Sequence, residues 1–274
     1  MGVLTCTLGE EGEILDPDLD VEQARPHLGE IRERELRASC QVLGVRELRL
    51  LGFRDSGMDG TDATKRPDAF CNIPLDEAGG RAAAIMRELR PRVVITENEH
   101  GTYGHPDHIR CHQVAVRGVE LAADPSFQTD GLAPWQVDRL YSNEIVFEGA
   151  GRIAAMLKAE KLDPGWFAHE EFNEEFANFG ITADKADAVV DVGDYVPRMV
   201  QALAKHRTQI PPDFFMLHWP EHILREVFQR AYFRQLFPKR RDGQQATGHR
   251  QQTDLNRQQA TGHRQQTDLL EGLE

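Results

Sequence analysis

The chain has 274 residues, with 45 acidic against 32 basic side chains and a formal charge of −13. A surface of that sign repels phosphate, which argues against a dedicated nucleic-acid or anionic-membrane binder. No stretch reaches the roughly 18 apolar residues of a membrane span. The first residues, Met1 to Thr7, carry neither a basic region nor an apolar signal core, so secretion is not indicated. Cys6, Cys40, Cys71 and Cys111 are widely spaced with no CxxC pair. They read as reduced thiols of a cytoplasmic protein rather than as a disulfide frame or a cysteine zinc site.

In chain order, Val3 to Thr7 is a short β-prone run that leaves into a loop at Leu8-Gly9. Glu30 to Leu43 has apolar residues near helical spacing and a stop at Gly44. Glu47 to Phe53 is a second strand, and Asp55 to Ile73 is a loop dense in Gly, Asp and Pro. Leu75 to Leu89 is a helix that must end before Pro91. Arg92 to Thr96 is apolar at three successive positions, as expected of a strand buried on both faces. Pro106 to Ala123 is a helix with proline in its first turn. Val137 to Phe147 is a further strand, and later helices are expected over Ala183 to Ala188, Tyr195 to His206 and Glu221 to Leu236.

Strand and helix in alternation predict an α/β fold, a Rossmann-like and mainly parallel sheet with helices on both faces. Ligands of such sheets sit outside the carboxyl ends of the strands. The loops to inspect are therefore 8–20, 54–73 and 97–105. Composition changes near Pro238. Residues 239–274 hold no Phe, Trp or Tyr, and QQATGHRQQTDL occurs twice, at Gln244 to Leu255 and at Gln258 to Leu269. Two copies are too few for a solenoid and too polar for a core. The expected organisation is one domain over 1–238 and a disordered low-complexity tail over 239–274. His249 and His263, inside the repeats, read as solvated rather than metal-binding.

The third loop carries the chemistry. His105, Asp107 and His108 fall between a strand's carboxyl end and a helix N-terminus. Two imidazoles and a carboxylate within four residues suit a metal site, the carboxylate either ligating or orienting a histidine. His112, one turn beyond His108, is spaced to ligate the same metal, but reads rather as facing solvent or a neighbour. The glutamates of Thr7 to Glu13 rule out a phosphate cradle and suit sugar or polyol hydroxyls, a metal, or plain solvation. The run from Asp55 fails as a calcium loop, because its twelfth residue is Arg66. His169 to Asn173 begins like HExxH but ends in Asn173, and no serine lies in GxSxG.

Three motifs together, TLGEEGE at Thr7 to Glu13, DSGM at Asp55 to Met58 and YGHPDH at Tyr103 to His108, resemble the LmbE-like or PIG-L zinc-dependent N-deacetylases. The likeness runs from Val3 to about Phe237, and is greatest to the mycothiol enzymes that deacetylate N-acetylglucosaminyl-inositol or cleave mycothiol conjugates. It implies a Zn2+ cofactor with His108 as a ligand. It implies that His105 stabilises the oxyanion and protonates the leaving amine, that Asp107 orients His105, and that Tyr103 helps bind the oxyanion. Glu13, Arg32 and Asp55 would hold sugar or inositol hydroxyls.

The family's opening strand and its AHPDDE motif, which supplies two more zinc ligands and the general base, occur nowhere in these 274 residues. About thirty residues, a strand with its loop and helix, are expected to be missing on the usual size of such a unit. Two readings follow. One is a hydrolase deacylating an N-acyl amino sugar or mycothiol-like conjugate, its full form starting upstream of Met1. The other is an inactive truncated remnant that binds polyols, or pairs with another chain or a second copy through an exposed strand edge. A nucleotide-binding domain is disfavoured, because TLGEEGE offers nothing to a phosphate.

Overall fold

The computed structural model describes residues 1–146, 150–162, 180–238, 266–270 and 273. Strand β1 (Gly2–Thr5) pairs in parallel with β2 (Glu47–Leu50), Gly2 opposite Glu47 and Thr5 opposite Leu50. Helix α1 (Leu28–Leu43) connects them. It ends on Gly44 at φ +70°, a left-handed cap that glycine adopts without steric cost. Helices α2 (Leu75–Leu89) and α3 (Pro106–Ala123) match the sequence expectation residue for residue. Between them lies β3 (Val93–Thr96), parallel to β4 (Arg139–Glu144).

The α/β class holds, with parallel pairs at β1–β2 and β3–β4. Beyond β4 the chain departs from simple alternation. Helix α4 (Ala150–Ala159) was not anticipated. The helix expected over Ala183 to Ala188 is one 3-10 turn, Ala183–Lys185, followed by β5 (Ala188–Asp191). Helix α5 covers Val196–Leu203. The helix expected over Glu221 to Leu236 stops early. Helix α6 is Glu221–Phe228, and the chain turns at once into β6 (Arg230–Phe237). The reason is tertiary. Residues 231–237 fill the space between β4 and β5, hydrogen-bonded antiparallel to both, so the sheet order is β3–β4–β6–β5. Tyr232 and Phe233 favour a strand there, and ladder bonds on two sides outweigh the helical periodicity.

Another expectation fails at β3. Ile95 is 50% exposed, so the strand is not buried on both faces. Among the described residues β1 and β3 are both sheet edges, each with a strand on one side. The two sheets nevertheless share a core. Leu4, Cys6, Leu51 and Phe53 from the first sheet and its exits meet Val94 and Leu140 from the second, together with Ala82, Met86 and Val114 of α2 and α3.

The α2–α3 contact is a seam of small residues. A Cβ on Gly79 would lie 2.8 Å from Arg117 Cγ, and one on Gly118 would lie 3.1 Å from Ala82 Cβ. This close approach fixes α3, whose N-terminus carries the site. Arg87 of α2, 3% exposed, secures the other end of α3. Its guanidinium donates to the carbonyls of Ala122 (3.0 Å), Leu121 (3.1 Å) and Asp124 (2.5 Å), satisfying groups that a helix C-terminus leaves orphaned. A second core joins Leu157 of α4, Val196 of α5 and Ile223 of α6 with Met216 and Trp219.

His169 to Asn173, with most of the tail including His249 and His263, lies outside the described residues. The described tail residues run against the second sheet. Gln266 forms a bridge with Ala188, and its side chain accepts from the Tyr141 hydroxyl at 2.8 Å.

Candidate active site

All seven residues singled out in the sequence line one cleft of about 1040 Å³: Glu13, Arg32, Asp55, Tyr103, His105, Asp107 and His108. It opens at the carboxyl ends of β1, β2 and β3, where parallel strands place ligands. The corner is compact. Ring centroids are 5.2 Å apart for His105 and His108, 5.2 Å for Tyr103 and His108, and 6.0 Å for Tyr103 and His105.

Local backbone chemistry explains this clustering. His105 is the N-cap of α3, its Nδ1 accepting from the Asp107 amide at 3.1 Å. The neutral ring then carries its proton on Nε2, free for the cleft. Burial, with His108 alongside, holds the His105 pKa below the usual imidazole value. Just upstream, Thr102 has φ +66°, a strained conformation for a β-branched residue. Glu97 and Asn98 hold it there. The Thr102 hydroxyl donates to Glu97 Oε2 at 2.5 Å, and its amide donates to Asn98 Oδ1 at 3.0 Å. Neither residue was singled out in the sequence, because only the folded loop shows what they restrain. This twist brings Tyr103 back over the histidines. Burial, followed by the charge of Glu97, raises the Tyr103 pKa and keeps its hydroxyl protonated as a donor.

The carboxylates fall into two roles. Asp55 is 4% exposed. Burial works against its ionisation, but the amides of Gly57 and Glu11 each donate to it at 3.0 Å and hold its pKa below the usual carboxylate range. Burial pushes the Asp107 carboxyl up to about 7, opposed by hydrogen bonds to Ser56 and reinforced by the charge of Asp55. Asp107 was expected to orient His105. The Asp107 amide donates to His105 Nδ1 at 3.1 Å, whereas the Asp107 carboxylate does not contact that ring nitrogen: its Oδ2 accepts from the Ser56 amide at 3.2 Å and its Oδ1 has no hydrogen-bond partner.

The glutamates of the first loop also separate. Glu11 pairs with Arg54 (2.6 Å) and Arg66 (3.0 Å), and Glu10 accepts from the Asp55 amide at 3.2 Å. Both brace the second loop, and Glu11 and Glu13 both line the cleft. Arg32 reaches in from α1 and donates to the Glu13 carbonyl at 2.9 Å. Gly9 and Gly12 make room for it, since a Cβ on either would collide with the guanidinium. Burial lowers the Arg32 pKa, against the pull of Asp55, and its Nε has no hydrogen-bond partner.

The donor set bears on a metal. His108 Nδ1 is buried without a hydrogen-bond partner and lies 3.6 Å from Glu97 Oε1. His112 turns away, its Nδ1 2.8 Å from the Glu97 carbonyl. Among the described residues no three His, Cys, Asp or Glu side chains converge in a way that could hold an ion. A catalytic zinc site takes about three protein ligands plus water. The residues present therefore supply part of such a site at His108, not a whole one.

Among the cleft residues that sequence reasoning did not single out are His206 and Gln209. Neither sits in a motif. They reach the cleft only because a distant segment folds against α1.

The model of the family PIG-L: GlcNAc-PI de-N-acetylase matches residues 1–119. The 1D-myo-inositol 2-acetamido-2-deoxy-alpha-D-glucopyranoside deacetylase of Geodermatophilus obscurus is 40% identical over 244 residues, covering 85% of this chain and 80% of that protein. Among solved structures, the N,N'-diacetylchitobiose deacetylase of Pyrococcus horikoshii superposes with a TM-score of 0.54 at 21% identity, covering 86% of this chain and 72% of that one. A 4-carboxy-2-hydroxymuconate hydratase from Pseudomonas putida shares the fold at TM-score 0.51 and 14% identity, covering 89% and 87%. The fold thus hosts more than one chemistry, and the sequence relationship decides between them. No described helix is long and apolar enough to cross a membrane. From the identity and coverage of its relatives, the chain belongs to the PIG-L, or LmbE-like, deacetylase family.

Proposed function

We propose that this chain serves the hydrolysis of the acetamide of an N-acetylated amino sugar joined to a polyol, with acetate and a free amine as products. The observation that carries the reading is the corner itself. An imidazole with its Nδ1 fixed by a helix amide stands beside a protonated phenol, at the end of a cleft lined by Arg32, Asp55 and Glu13. Relatives named as deacetylases of an inositol-linked acetamido sugar support the substrate class.

Each residue has a role its environment allows. Arg32, Asp55 and Glu13 bind ring hydroxyls, a charged partner making the stronger hydrogen bond. His105 Nε2–H and the Tyr103 hydroxyl donate to the oxygen of the acetyl carbonyl as it gains charge, worth about 3 kcal/mol for a well-placed donor. When the C–N bond breaks, the leaving nitrogen takes up a proton beside His105. Asp107 holds that ring through its amide and keeps the second loop in place through Ser56. Zinc bound at His108 would polarise the carbonyl and acidify water. Since the donors present do not complete its site, no step is assigned to it. The four free cysteines fit a reducing, cytoplasmic location for this reaction.

A second reading, polyol binding without catalysis, is favoured by that incomplete donor set. One experiment separates the two. The chain is incubated with N-acetylglucosaminyl-inositol, with and without added zinc, and acetate release is followed alongside calorimetric binding. Zinc-stimulated release supports the deacetylase. Binding with no release at any zinc level supports the binding module, and neither binding nor release overturns both.

A further inference from the structure

Glu97, the first residue after β3, touches three groups of the third loop and α3. Its Oε2 accepts from the Thr102 hydroxyl at 2.5 Å, and its Oε1 lies 3.6 Å from His108 Nδ1. Its carbonyl lies 2.8 Å from His112 Nδ1. Thr102 thus fixes one oxygen of the carboxylate and leaves the other facing the His108 imidazole.

The proton positions on two neighbouring rings follow from their partners. A carbonyl only accepts, so His112 carries a proton on Nδ1. His105 Nδ1 accepts from the Asp107 amide, so the proton of its neutral ring sits on Nε2. His108 is the undecided ring. Its Nδ1 is buried without a hydrogen-bond partner, while the ring itself lines the cleft. At 3.6 Å the Glu97 oxygen is too far for a hydrogen bond. It is close enough for its charge to choose between the two neutral forms of the ring. One form turns an N–H dipole towards the carboxylate, and the other turns a lone pair towards it. The first contact is attractive and the second repulsive, and partial burial widens the difference.

We propose that Glu97 is a positioning residue that keeps the proton of His108 on Nδ1, so that His108 presents an Nε2 lone pair to the cleft. Two imidazoles whose ring centroids are 5.2 Å apart then do opposite things, His105 donating and His108 accepting. A lone pair can take up a proton or ligate a cation, and an N–H can do neither. The catalytic value of this pairing rests on the deacetylase reading. The form of the ring does not, and it is measured separately.

The full chain, labelled with 15N in its histidines, is studied at pH 8, above the usual imidazole pKa of about 6.5. Long-range 1H–15N correlations show which ring nitrogen carries the proton. Signals are assigned by their loss in His105→Gln, His108→Gln and His112→Gln, and His105 and His112 serve as references for the two forms. His108 is expected in the Nδ1–H form in the unaltered chain and in the Nε2–H form in Glu97→Leu. Thr102→Gly removes the other partner of the carboxylate, at a left-handed position that suits glycine, and should leave His108 as it is. The double variant Glu97→Leu, Thr102→Gly has no hydroxyl left to satisfy. It should show the Nε2–H form even if Glu97→Leu alone folds poorly. An Nε2–H form in the unaltered chain, or an Nδ1–H form that survives the loss of Glu97, would overturn the assignment.

Turnover supplies a second readout. A group that orients a functional histidine from behind is worth about 10–100-fold. Glu97→Leu should lose that much in kcat for N-acetylglucosaminyl-inositol, with KM within a few-fold. An unchanged kcat in a variant whose His108 has changed form would overturn the positioning role. If the unaltered chain releases no acetate, the deacetylase reading fails, while the spectra still decide what Glu97 does to His108.

Discussion

The two ends of the cleft are built in opposite ways. The reacting corner comes from one continuous run, Tyr103 to His108, shaped by a strained turn at Thr102 and a helix N-terminus. The far wall comes from the turn at 206–209, held by Glu35 across 173 positions of sequence and by the loop at Leu15 to Asp18. One end is local geometry, the other is tertiary packing. The corner can therefore be damaged with little loss of fold. The wall cannot be moved without disturbing the packing that places it.

The sharpest way to break this contrast is at His105. His105→Ala is expected to lower acetate release by about 10²–10⁴-fold, the usual weight of a group that moves a proton in the transition state. Affinity for the deacetylated product, measured by calorimetry, should change only a few-fold. A comparable loss of affinity would mean that the corner binds rather than reacts.

Next in size are changes to the core behind the wall. Leu157 is fully buried in the cluster that includes Val196 of α5. Leu157→Ala is expected to cost about 2–5 kcal/mol of stability in urea unfolding. If α5 and its turn fold together with the corner, one transition shifts as a whole. A variant that loses affinity for N-acetylglucosaminyl-inositol before it unfolds would show the wall to be a separately cooperative unit.

Glu35→Ala cuts closer to the wall. It leaves the amide and hydroxyl of buried Thr208 without their acceptors, at a cost of about 1–3 kcal/mol. KM for N-acetylglucosaminyl-inositol should rise, while Glu35→Gln, which keeps one acceptor, should fall between. If KM stays constant while stability drops, the turn is held chiefly by Arg207 and Leu15.

The same contrast explains what could be read without the structure. Six of the seven residues singled out beforehand lie in the three motifs, short runs whose side chains are placed by their own turn or cap, whereas Arg32, on α1, followed from the family resemblance alone. Helices α2 and α3 were legible to the residue, since Pro91 and Pro106 mark their limits. Strand β6 was not, because residues 229–236 continue the helical spacing of α6. Only the vacancy between β4 and β5 decides their conformation. The exposure of Ile95 also escaped, since strand composition does not say which strand lies at an edge. His206 and Gln209 had no signal, their place being set by Glu35 and Thr208. Buried arginine presents the same difficulty. The spacing of α2 gives no hint that Arg87 turns inward to close the end of α3.

The smallest expected effect probes the wall through acidity. Burial holds His206 below the usual imidazole pKa, with Glu35 and Arg32 pulling in opposite directions. A histidine depressed in the folded state contributes stability above the unfolded value of about 6.5. That stability is lost as the pH falls through the folded value, because the unfolded chain takes up its proton first. His206→Gln removes this titration. The loss should amount to a fraction of a kcal/mol, since the ring is only half-buried and water screens it. His105 shifts in the same direction in both proteins, so the difference between them isolates His206. Thermal midpoints at pH 7.5 and pH 5 should show the unaltered chain losing more on acidification than the variant. Parallel losses would mean that His206 is as solvated folded as unfolded, and would remove the rigid wall from the comparison with the corner.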